Sequence, residues 1–226
     1  MRLRTLLRLT IIVAIGTSLN ACKSEAFIDV YGGFNVSGTS DFEHDDLAET
    51  AEVESAGAGT IGARVGTYFT TKGWFEPGLA LDISSVNFSV EDPGQPDIDL
   101  DQTPISLLAM MRLPIARSAR RPHGLAQPYV AVGPTLMLTD VEFPAMFAGQ
   151  PIETDDTNST TIGADLRVGL AADLTGRGGG LLGDSFSIAG FLEYRATIAE
   201  PEFDGRRSAS LQTVLHHVLF GMSLRF

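Results

Sequence analysis

At 226 residues and a formal net charge of −12, the chain is long enough for one β domain of about 200 residues plus a leader. It is too acidic to be expected on nucleic acid. No run of eighteen apolar residues occurs, which excludes a membrane-spanning helix, and the single cysteine, Cys22, excludes an intramolecular disulfide and a cysteine-based metal site.

The first segment has the layout of a secretory leader: Arg2, Arg4 and Arg8, the apolar run Leu9–Leu19, then small residues. Two cleavage points fit. Leu19-Asn20-Ala21-Cys22 resembles a lipobox, giving a leader over 1–21, a mature domain over 22–226 and Cys22 as a candidate lipidation site. Ser24-Glu25-Ala26 fits an ordinary small-x-small site, with the cut after residue 26. Both readings stand on the sequence.

From Phe27 onward, eight segments of about ten residues alternate apolar and polar positions. They are predicted as strands over Phe27–Ser37, Gly59–Thr70, Trp74–Ser85, Thr103–Leu113, Gln127–Leu138, Thr161–Leu174, Phe186–Thr197 and Leu211–Phe226. The sixth is the cleanest: Ile162, Ala164, Leu166, Val168, Leu170, Ala172 and Leu174 alternate with Gly163, Asp165, Arg167, Gly169 and Asp173. In the fifth, PYVAVGP is apolar on both faces. Pro134 there removes a ladder donor, so a bulge or an early strand end is expected.

Connections after the second, fourth and sixth strands carry Lys72, Arg117, Arg120, Arg121 and Arg177. Those after the first, third, fifth and seventh, at 38–58, 86–102, 139–160 and 198–210, hold twenty of the 28 acidic residues. Turns on one side and longer loops on the other predict an all-β, eight-stranded antiparallel up-and-down transmembrane barrel, with both termini on the periplasmic side.

The polar faces carry Arg64, Glu76, Asp82, Arg112, Asp165, Arg167, Glu193 and Arg195, along with many glycines. A soluble barrel would turn its apolar face inward; these residues suit the reverse, with lipid outside and a polar lumen. Eight strands leave an interior just wide enough for side chains to fill. Four carboxylates and four arginines are therefore expected to form a salt-bridged plug, which is a structural role and not a pore. Ten residues from His216 to Phe226, at roughly 3.4 Å each and tilted about 40°, span about 25 Å, the height of the apolar band. Trp74 and Tyr129, each following a periplasmic turn, are expected in the inner aromatic girdle.

WFEPGLALDIS, QPYVAVGP, FLEYRATIAEPEFDG and HHVLFGMSLRF resemble the outer-membrane β-barrel domain family, in which small OmpA/OmpX-type barrels are familiar. The resemblance runs over the mature chain and implies a monomer integral to the bacterial outer membrane. It also implies contact with lipid and lipopolysaccharide, and recognition of Met222, Leu224 and Phe226 by the barrel-assembly machinery.

No catalytic constellation is expected. His216 and His217 are adjacent, so they point to opposite faces and cannot serve one site. Asp97, Asp99 and Asp101 share one side of an extended segment and are weak candidates for a divalent cation, but Gln102 stands where an EF-hand glycine belongs. Gly178-Gly179-Gly180 precedes a strand and suits a flexible turn better than a phosphate cradle. The sequence thus predicts no cofactor and no enzyme. It predicts a structural or surface-interaction role through acidic loops that face an extracellular ligand, with a lipid A-modifying enzyme or a narrow solute pore as the alternatives.

Overall fold

The computed structural model describes residues 24–44, 51–70, 73–90, 98–119, 121–142, 146–147, 150–151, 158–175, 186–200, 202–203 and 209–226. Cys22, Asp97, Lys72, Arg120, Arg177 and Gly178–Gly180 lie outside the described residues.

Eight long strands build the molecule: β1 Ser24–His44, β2 Ala51–Phe69, β3 Glu76–Val90, β4 Ile98–Arg112, β5 Ala126–Glu142, β6 Asn158–Asp173, β7 Ser187–Ala199 and β8 Ala209–Arg225. Each pairs antiparallel with its neighbour in sequence, and β1 pairs with β8, so the sheet closes on itself. Closure gives the wall's backbone donors and acceptors partners within the sheet, which a hydrocarbon surround requires. Two-residue pairings at 146–147 with 150–151, and of 202–203 with β8, add to the loop end.

The register fixes the shape. Paired positions lead from Glu25 through Tyr68, Gly78, Met110, Ala131, Arg167, Arg195 and His217 to Asn35. One circuit therefore returns to β1 ten positions further along, a stagger that tilts the strands by roughly 40°. Every residue on this circuit points inward, so it winds through the lumen as a spiral.

Burial follows the alternation. Outward positions are exposed aliphatics and aromatics on all eight strands, among them Val30, Ile61, Leu79, Leu107, Val132, Ile162, Leu192 and Phe220, each more than half exposed. Inward positions are charged, polar or tightly packed. Phe27, Tyr31, Tyr68, Leu108, Met110, Tyr129, Phe191 and Leu219 fill the space between the charges.

Two expectations are corrected. The strands outrun their predicted ends, most of all at the loop end: β1 continues to His44 and β2 begins at Ala51. Much of the predicted first loop is therefore ladder, with Thr39 opposite Glu54 and Phe42 opposite Ala51. Apolar alternation marks only the band where the outward face is apolar. Beyond it both faces are polar, and a strand loses its sequence signature.

Pro134, for its part, causes neither a bulge nor an early end. The β4–β5 register is the same at Ser106–Thr135 and Ala109–Val132, and β5 runs on unbroken to Glu142. The ladder skips Leu107 and Leu108 opposite Gly133 and Pro134. Gly133 makes this possible, since a Cβ there would lie 1.8 Å from the Leu107 carbonyl oxygen. The strands draw close where the proline has no donor to offer. The wall's register shifts lie elsewhere, in β1 between Asn35 and Ser37 and in β2 between Ala56 and Gly59.

Candidate functional site: the charged lumen

The lumen holds two tiers of charge. At the end carrying the termini, Arg112 of β4 lies 2.6 Å from both Glu76 of β3 and Glu25 of β1, with its guanidinium 4.0 Å over the Tyr68 ring. The turn between β4 and β5 folds back against this group. His123 places Nε2 3.0 Å from Glu25 and Nδ1 3.1 Å from Glu76, while Arg117 approaches Glu76 at 3.3 Å. Ile115 and Leu125 exchange backbone hydrogen bonds with their neighbours across this turn, and Ala116 takes a left-handed backbone at φ 56°. Burial pushes the His123 pKa down. Hydrogen bonds to the two carboxylates push it up by more, so its net displacement is upward.

In the middle tier, Arg64 pairs with Asp29 at 2.8 Å and with Glu193 at 2.6 Å, and Tyr129 donates to Glu193 at 2.6 Å. Arg167 holds Asp82 and Asp165, each at 2.7 Å, and touches Glu193 at 3.3 Å. Arg195 reaches Asp165 at 2.9 Å and donates to Ser84 at 2.8 Å. Tyr31 donates to Asp82, and Ser106 donates to Asp165. Strands β1, β2, β3, β4, β5, β6 and β7 all contribute, so the network stitches the wall across its bore.

Glycines make room for the tyrosines. A Cβ at Gly62 would lie 2.5 Å from the Tyr31 ring, and one at Gly169 would lie 2.4 Å from the Tyr129 ring. Each phenol crosses a bare stretch of neighbouring strand to reach its carboxylate.

Between the tiers lies a cavity of about 10 Å³ bordered by Asp29, Arg64, Arg112, Gln127 and Arg225, on the scale of one water. Towards the loop end the next inward positions after Ser84, Thr135 and His217 are Val86, Met137 and Leu215, each only 1% exposed. Uncharged side chains thus follow the charged tiers, with the polar Gln102, Thr139 and Thr197 buried among them.

All eight lumen residues singled out in the sequence face inward and are at most 2% exposed. They divide between the tiers: Glu76 and Arg112 lie at the terminal end and the other six in the middle. Sequence reasoning left out Glu25, Asp29, Tyr31, His123 and Arg225. Asp29 and Tyr31 sit on the polar face of the first strand, a signal that was legible. Glu25 had been absorbed into a cleavage motif, and His123 lies in a turn where no periodicity applies.

Tyr129 is corrected: it is 5% exposed and points into the lumen, not to the aromatic girdle. Trp74 is 71% exposed on the outer surface just before β3 and packs edge-on against Phe75 at 5.4 Å. His216 and His217 do part across the wall. His216 stacks outside on Tyr194 with a 2.6 Å hydrogen bond, whereas His217 is buried inside. Asp101 is exposed, paired in register with Asp140, and Asp99 is opposite Glu142. Among the described residues no group of three or more acidic, His or Cys side chains is placed to hold a metal ion. Met222 points outward, and Phe226 lies 6.1 Å from Phe186 at the wall's edge.

A closed antiparallel meander with an apolar exterior and an ion-paired bore defines the class: a small outer-membrane-type β-barrel. No family model and no curated protein matches the sequence, but solved structures match the fold. OprG from Pseudomonas aeruginosa is 10% identical, with 91% of this chain and 96% of that chain covered at a TM-score of 0.51. AlkL is 14% identical over 91% and 92% at 0.47, and Ail of Yersinia pestis 12% identical over 90% and 98% at 0.39. The fold is that of the small outer-membrane barrels.

Proposed function

We propose that this chain is an integral protein of the bacterial outer membrane, secreted through its leader, with both termini in the periplasm and the long acidic connections outside. Its role is structural or surface-interactive, with contact to lipopolysaccharide and an external ligand made through wall and loops. The supporting observation is the bore itself. Arg167 and its three carboxylate partners occupy the middle of the lumen at no exposure, and Val86, Met137 and Leu215 follow towards the outside. Such a bore stiffens the wall and gives a solute no path.

Two measurements test this against the rival readings. Folded protein in planar bilayers is expected to be silent; discrete conductance steps would replace the structural reading with a pore. Expression is expected to leave the lipid A acyl pattern unchanged, and a shifted mass spectrum would make the protein an enzyme.

A further inference from the structure

We infer that the mature barrel keeps Glu25: the leader is cut before Ser24 and not after Ala26. The inference goes beyond the functional reading and rests on it only in that export removes a leader.

The side chain is the first reason. Glu25 is 1% exposed and gives one carboxylate oxygen to Arg112 at 2.6 Å and the other to His123 at 3.0 Å. Arg225 stands 4.0 Å away. Glu76 is the second carboxylate at this end and is shared by Arg112, His123 and Arg117. A chain beginning at Phe27 would leave Arg112, His123 and Arg117 to share the single carboxylate of Glu76, with Arg112 fully buried. Buried charge without its partner is strongly unfavourable.

The backbone is the second and independent reason. Ser24, Glu25 and Ala26 pair with Phe69, Tyr68 and Thr67 of β2. Ala26 and Phe226 exchange both backbone hydrogen bonds, at 2.9 and 3.0 Å, and so extend the seam between the first and last strands to its end. Cleavage after Ala26 removes the last pair of this seam, strips three residues of β1 from β2 and unpairs the C-terminal phenylalanine. Between the two boundaries the sequence offers, the one after Ala21 keeps both features and makes Cys22 the first residue.

The test is the intact mass of the protein purified from outer membranes of expressing cells. A chain starting at Cys22, bare or carrying acyl increments, is the expected result. A chain starting at Phe27 overturns the inference, and an uncut chain in that membrane overturns the cut before Ser24 while leaving the exported-barrel reading in place. A second arm uses a foreign leader to force starts at Lys23 or Phe27. The Phe27 form is expected to unfold at lower urea or to remain unfolded, and Glu25→Gln in the Lys23 form is expected to lower the midpoint as well. Equal midpoints for all three forms would show that Glu25 and the seam contribute nothing.

Discussion

Arg167→Met probes the lumen network at its centre. Arg167 is fully buried and serves three carboxylates, but their losses are unequal. Asp165 keeps Arg195 at 2.9 Å, and Glu193 keeps Arg64 at 2.6 Å. Asp82 keeps only the Tyr31 hydroxyl among its described contacts at short range. The substitution thus strands about one buried carboxylate, for which a cost of about 3–5 kcal/mol is expected. Urea titration in detergent or vesicles measures it, with the single tryptophan, Trp74, reporting from the outer surface. Adding Asp82→Asn removes the stranded charge while leaving an acceptor for Tyr31, so the double variant should recover at least half of the loss. A single variant costing less than about 1 kcal/mol, or a double variant no better than the single, would refute the claim that this bore is held by compensated charge.

Other substitutions test different parts of the account. Gly169→Ala drives a methyl into the Tyr129 ring and is expected to cost about 1–3 kcal/mol. Gly190→Ala, whose nearest neighbour would be a Leu174 side-chain carbon at 3.6 Å, should be close to neutral in the same titration. His217 is buried, with neither ring nitrogen hydrogen-bonded among the described residues, so His217→Leu should raise stability by about 1 kcal/mol; a lowered midpoint would contradict this. Stability should also depend on pH through His123. Its folded pKa is raised by Glu25 and Glu76, so its contribution is complete below about pH 6.5 and is lost as the pH rises through the folded value. The urea midpoint should fall over that range in the parent and fall less in His123→Asn.

Within the apolar band the sequence was highly legible. Strict alternation over Ile162–Leu174 places every side chain of that strand on its observed face, and the reversal of polarity identifies the inside. Where both faces are apolar, as around Tyr129, alternation carries no information. The inward choice there depends on Glu193 lying across the bore on β7 and on Gly169 lying under the ring. Pro134 misled for a related reason: its missing donor is absorbed by a close strand approach at Gly133, a three-dimensional fact with no local trace. The terminal-end cluster was hidden most completely. Glu76 faces Arg112 across the β3–β4 ladder, but Glu25 reaches them across the bore from β1 and His123 from the fold-back of the turn, contacts that no local pattern records.

That polarity reversal, apolar outside and charge within, is tested most directly by fractionating cells that express the chain from its own leader. The protein should remain with the outer membrane through salt and alkaline washes and run at a different apparent size unboiled than boiled, as a closed barrel does. Recovery as a soluble periplasmic protein whose mobility ignores boiling would contradict the account at its root.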